Sequence, residues 1–127
     1  MPKVDYKKNN FDIDLDFGKK GEEWVVKLFE GNSKVEVKTE RGLWQDTGNI
    51  AIEIRYKNKP SGLSTTDADT WIHLLESDGE IFGGFLLPVP YLKKRAKSLL
   101  AVDLARIVKG GDNNDSTLLL IPIEDIY

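Results

Sequence analysis

Glu36-Val37-Lys38 sets a carboxylate and an ammonium two residues apart. In an extended strand that spacing turns both side chains to one face, about 6 to 7 Å apart. Such a pair suits hydrolysis of a phosphodiester. The carboxylate anchors a Mg²⁺ ion, the ion polarises a phosphoryl oxygen and lowers the pKa of a bound water, and the lysine orients the nucleophile or steadies the developing charge. The same tripeptide is also what a solvated ion pair on an exposed strand looks like. Its meaning therefore depends on the elements around it.

Lys34 to Glu40 alternates, with Val35 and Val37 on one face and Glu36, Lys38 and Glu40 on the other, which predicts a strand. Asn49 to Tyr56 repeats the pattern: Ile50, Ile52 and Ile54 face one way, and Ala51, Glu53 and Arg55 the other. Joined by the loop Arg41 to Gly48, these two strands are expected to pair as neighbours. Upstream, Gly18 to about Phe29 has helical spacing and a stop at Gly31-Asn32. On that helix Glu22 shares a stripe with Val25, Val26 and Phe29, so its carboxylate is expected to point toward the sheet and to meet a cation or a donor there.

Downstream, Thr66 with Asp69 fits the start of a single helical turn, and Trp71 to Leu75 reads as a buried strand. Ser77-Asp78-Gly79 predicts a turn into the run Ile81 to Pro88. Pro90 opens a helix through about Leu100, and Val102 to Val108 with Leu118 to Ile123 forms a closing strand pair. The order of elements predicts an α/β fold with a central mixed sheet flanked by a few helices. At 127 residues the chain fits one domain, residues 1–127, whose polar opening, 1–10, reads as a loose arm or edge strand.

The bulk composition narrows the chemistry. The chain has no cysteine, which excludes disulfides, thiolate zinc sites and cysteine nucleophiles and suits a reducing cytoplasm. A metal must then be held by oxygen or by His73, the lone histidine, which sits between Ile72 and Leu74 and reads as a packed core residue. No stretch approaches the ~20 apolar residues of a membrane helix, so no membrane partner is expected. The net charge of -3 argues mildly against a protein that coats nucleic acid, but carboxylates gathered at a metal site would mask a basic rim.

Taken in order, Gly18-x-x-x-Glu22, the strand Val35-Glu36-Val37-Lys38-Thr39, Thr47-Gly48-Asn49-Ile50 to Glu53, and Pro60-Ser61-Gly62-Leu63-Ser64-Thr65-Thr66 with Ala68-Asp69 resemble the PD-(D/E)XK nuclease superfamily. The likeness is to its small phage-type and Holliday-junction-resolvase-like members, and it spans about residues 16 to 75. It implies a restriction-endonuclease-like fold and a Mg²⁺- or Mn²⁺-dependent endonuclease that cuts DNA, on branched or structured substrates, with homodimers common where two strands are cut. It also implies Glu22 and Glu36 as metal ligands and Lys38 as the catalytic lysine. The superfamily usually supplies an aspartate on the strand before E-x-K, and none is present here. Glu53 is the expected replacement, with an ion pair to Lys38 or Arg55 as its alternative role. The missing aspartate also fits a catalytically degenerate DNA-binding or protein-interaction module. Candidate DNA contacts are Trp44, Lys57, Lys59, Ser61, Lys93, Lys94 and Lys97; a solvated helix face is the alternative for the last three.

Overall fold

The computed structural model describes the backbone from Phe11 to Gly31 and from Ser33 to Tyr127, and side chains from Gly18 onward. The expected arm at residues 1–10 lies outside the described residues. The chain forms two compact units, Met1–Ser33 and Lys34–Tyr127. In the first, helix α1 (Phe11–Phe29) begins seven residues before Gly18, the expected start. Within this unit, taken by itself, Glu22, Val25, Val26 and Phe29 are exposed.

The second unit is mixed α/β. Its strands are β1 (Val35–Glu40), β2 (Asn49–Tyr56), β3 (Lys59–Pro60), β4 (Thr70–Ser77), β5 (Glu80–Pro88), β6 (Arg106–Gly110) and β7 (Ser116–Pro122). Helices α2 (Trp44–Thr47) and α3 (Val89–Ala101) lie between them. The strands divide between two sheets instead of forming one central sheet: a three-stranded sheet in the order β1-β4-β5 and a four-stranded antiparallel sheet in the order β3-β2-β7-β6. β1 runs parallel to β4, whereas β5 is antiparallel to it.

The expected pairing of β1 with β2 therefore does not form, and burial explains why. Ile50 and Ile52 of β2 stand opposite Ile121 and Leu119 of β7, and all four are almost fully buried. They share a core with Leu92, Ala96 and Leu99 of α3 and with Trp71, Leu75 and Leu87. Each such aliphatic side chain contributes about 1.5–3 kcal/mol when removed from water. The inward face of β1 offers Glu36, Lys38 and Glu40 in their place. β2 gains more beside β7, and α2, closed by Gly48 at φ 71°, carries the chain from one sheet to the other.

Two tight hairpins set the local registers. Lys57-Asn58 joins β2 to β3 and Asp78-Gly79 joins β4 to β5, each with two residues at positive φ, the mirror-image turn that matches strand twist. The helical turn expected at Thr66–Asp69 is replaced by a 3-10 turn at Gly62–Ser64. Asp69 cannot enter a helix because its backbone is committed elsewhere: its N–H donates to the Lys34 carbonyl at 2.8 Å and its own carbonyl accepts from Val89 at 2.9 Å. The closing strand pair begins at Arg106, not Val102, because the N–H groups of Leu104 and Ala105 still cap α3 through the Leu99 carbonyl. Among the described residues no helix is long and apolar enough to cross a membrane.

Gly62 has a conformation and a location that only glycine fits. Its φ is +53°, and a Cβ there would overlap the Glu53 carbonyl. Gly62→Ala should therefore cost more than the ~1–2 kcal/mol of a side chain forced into the left-handed region. Gly79→Ala, also at positive φ but in open space, should cost only that. Urea unfolding of both variants measures the difference, and equal costs would mean that the approach to Glu53 is loose.

At the surface, Lys34 Nζ lies 2.6 Å from Asp67 Oδ2. The hydrogen bond from Lys34, reinforced by its charge, lowers the Asp67 pKa from the ordinary aspartate value, and the same bond raises that of Lys34. The Asp67 contribution is present above its unfolded pKa and lost as pH falls through the folded value. The Lys34 contribution is present below its unfolded pKa and lost as pH rises through its raised value. A carbon-detected titration should place the Asp67 midpoint below that of an ordinary aspartate, and Lys34→Met should return it.

Candidate functional site

The site is built where the charged face of β1 meets one face of β2. Lys38 stands opposite His73 on β4, and Glu40 opposite Leu75. From the other sheet, Ala51 and Glu53 of β2 and Leu118 of β7 approach. Lys38, Glu40, Glu53, His73, Trp71 and Leu118 line a cleft of about 250 Å³. Side chains from both sheets thus share one small space.

Its floor is a chain of hydrogen bonds. The Trp71 indole N–H donates to His73 Nδ1 at 3.1 Å. Because an indole nitrogen can only donate, Nδ1 must hold a lone pair, and the network assigns the ring proton to Nε2. That N–H donates to Glu40 Oε1 at 2.9 Å, and the same oxygen accepts the backbone N–H of Ala51 at 2.6 Å. His73 is only 2% exposed, yet both ring nitrogens are satisfied, and no buried side-chain polar atom among the described residues lacks a partner. The reading of His73 as a packed core residue agrees with this placement.

Glu53 is held with equal definition. Ser61 Oγ donates to its Oε2 at 3.1 Å and Ser116 Oγ donates to its Oε1 at 2.8 Å. Two devices bring these hydroxyls in: the β-bulge after Glu53, where the β2–β7 register shifts, and the close approach of Gly62. Each carboxylate oxygen has two lone pairs, so two acceptor positions on Glu53 remain open. Among the described residues it forms no ion pair with Lys38 or Arg55.

The remaining sequence-derived candidates fall in several places. Glu36 pairs with Lys38, Oε1 to Nζ 3.5 Å, and both are partly open to solvent. Glu22 belongs to the helical unit. Lys57, within the β2–β3 turn, and Lys59, just after it, are exposed, with the Lys57 ammonium over the Tyr56 ring. Ser61 is spent on Glu53. Trp44 is anchored, its indole N–H donating to the Glu76 carbonyl at 2.7 Å and its ring tilted against Phe82. Lys93, Lys94 and Lys97 lie on α3. The sequence reading missed Glu40 as a site residue, although it shares the alternating face of Glu36 and Lys38. It also missed Ser116, for which no local pattern exists.

His73→Leu should strand the Trp71 N–H and one bond to Glu40, each worth about 1–3 kcal/mol when buried and unmet. A loss of ~2–4 kcal/mol in urea unfolding is expected, and nitrogen chemical shifts of the wild-type ring should report an unprotonated Nδ1. A neutral effect would remove the network from the fold's foundations. No protein-family model matches the sequence, and no curated protein or solved structure is significantly similar to it.

Proposed function

We propose that the chain is a divalent-metal-dependent nuclease that hydrolyses the DNA backbone, with the reacting phosphate at the mouth of the Lys38–Glu53 cleft. The observation that carries this reading is that Lys38 and Glu53, from strands in different sheets, line one cleft, with Glu36 beside Lys38. Lys38 keeps an accessible ammonium to orient a nucleophile or to steady charge on the phosphoryl oxygens.

Among the described residues no group of three or more acids and histidines forms a ready metal cage. Mg²⁺ does not require one: it is commonly held by one or two carboxylates, with waters and substrate phosphate completing about six oxygens. Glu53 fits as one such carboxylate, oriented by its two serine hydroxyls as partners of ligating carboxylates do, and Glu36, outside the cleft's lining but paired with Lys38, is the second that the sequence resemblance supplies. When bound, the ion would supply polarisation of the phosphoryl oxygen and a more acidic water. The part of Glu22 as a further ligand rests on the sequence resemblance alone. So do a branched DNA substrate, a homodimer that cuts both strands, and a cytoplasmic, phage-type setting.

A second reading, a binding module that keeps the fold without turnover, is favoured by one observation. Both acids lining the cleft already have protein partners: Glu40 has Ala51 and His73, and Glu53 has two serines.

Labelled linear, single-stranded and four-way-junction DNAs incubated with Mg²⁺, Mn²⁺ or chelator separate the two. Cleavage is expected only with metal, reduced on the order of 10²-fold or more in Lys38→Ala and Glu53→Gln. Glu53→Gln should also weaken Mn²⁺ binding in calorimetry. Binding to DNA without cleavage under any metal would select the module, and cleavage untouched in both variants would overturn the site.

A further inference from the structure

Along one flank of its buried stripe, helix α3 carries Lys93, Lys97 and Leu100. Lys93, Ala96, Lys97 and Leu100 follow one another at offsets of three, four and seven, so they share a face. This face overhangs Ile54, Leu63 and Leu119, and together they enclose a groove of about 350 Å³. Its floor is aliphatic. Among the described residues, Lys93 and Lys97 are the only charges in the lining. Neither lysine forms an ion pair among the described residues.

We propose that this groove docks an acidic segment of a partner protein, which sets one or two aliphatic side chains on the floor and carboxylates against Lys93 and Lys97. Charge and shape select that occupant. A nucleic acid would meet the lysines through its phosphates, but the groove has no aromatic ring for a base to stack on, and its apolar floor would stay wet. An aliphatic anchor covers the floor, and an acid beside it satisfies the rim, the usual division between a dry centre and a polar border. The volume lies at the small end of ligand sites, enough for an anchor and too small for a folded domain. This use of the α3 lysines is independent of the nuclease reading, since none of the cleft residues takes part.

The test is a titration of the isotope-labelled full chain, followed by amide shifts, with acetyl-Asp-Leu-Leu-Glu-amide, acetyl-Lys-Leu-Leu-Lys-amide and a short DNA duplex. The acidic peptide should shift the amides of Leu63, Ala96 and Lys97, and the basic peptide should not. Lys97→Glu should weaken the acidic peptide at least ~10-fold. Leu100→Ala, at the half-buried end of the groove, should weaken the acidic peptide by removing part of its apolar contact; if that variant does not fold, Lys97→Glu alone decides. Equal shifts from both peptides, shifts elsewhere, or the same shifts from DNA and none from the acidic peptide would overturn the proposal.

Discussion

One oxygen atom ties the two sheets together. Glu40 Oε1, at the end of β1, accepts the backbone N–H of Ala51 on β2 and the ring N–H of His73 on β4. The strands it joins belong to different sheets, and no ladder hydrogen bond runs between β1 and β2. A carboxylate that is largely removed from water must recover the hydration it loses, and here two N–H donors provide that recovery. The consequence is geometric: wherever the clamp is closed, the inward face of β1 is fixed against β2, and Lys38 and Glu53 open into one space.

The clamp also resolves a tension in β1. A strand with one neighbour and an unpaired edge invites another chain to add to it, and inward-pointing charges are a common defence. Among the described residues β1 pairs only with β4, and it carries Glu36, Lys38 and Glu40 on one face. Glu40 fastens this strand to the rest of the unit and, with Lys38, lines the cleft, while Glu36 pairs with Lys38. Protection of an edge and construction of a cleft wall thus draw on the same side chains.

Local pattern made most elements legible. Alternation in Asn49–Tyr56 and the apolar run around Trp71 to Leu75 identify strands, because their period of two is written into adjacent residues. Pro90 and the turn at Asp78-Gly79 mark boundaries through fixed backbone chemistry. What stayed hidden was pairing. Nothing near Glu40 or Asn49 reveals that β1 will lie beside β4 and β2 beside β7, since that choice follows from how much apolar surface each arrangement buries across the whole unit. The site was legible in the same measure. Lys38 and Glu53 stand out by type and face, whereas Ser116 reaches Glu53 across 63 positions of chain, a distance no motif spans. Helix α1 marks the opposite limit: its apolar stripe is plain in the sequence, but a stripe alone does not name what covers it.

The parallel register of β1 on β4 has a kinetic consequence. The β4–β5 and β6–β7 pairs close over short turns, a process of microseconds for isolated hairpins. β1 must instead find β4 across the whole of α2, β2 and β3, with Val35 meeting Thr70. Loop-closure entropy is spent before that contact returns anything, so such pairings come late in assembly. Until β1 arrives, Glu40 has no Ala51 to hold and Lys38 has no cleft to line. The cleft is therefore complete only after two non-local pairings, β1 on β4 and β2 on β7, have both formed, and until then Lys38 and Glu53 lie on separate segments of chain.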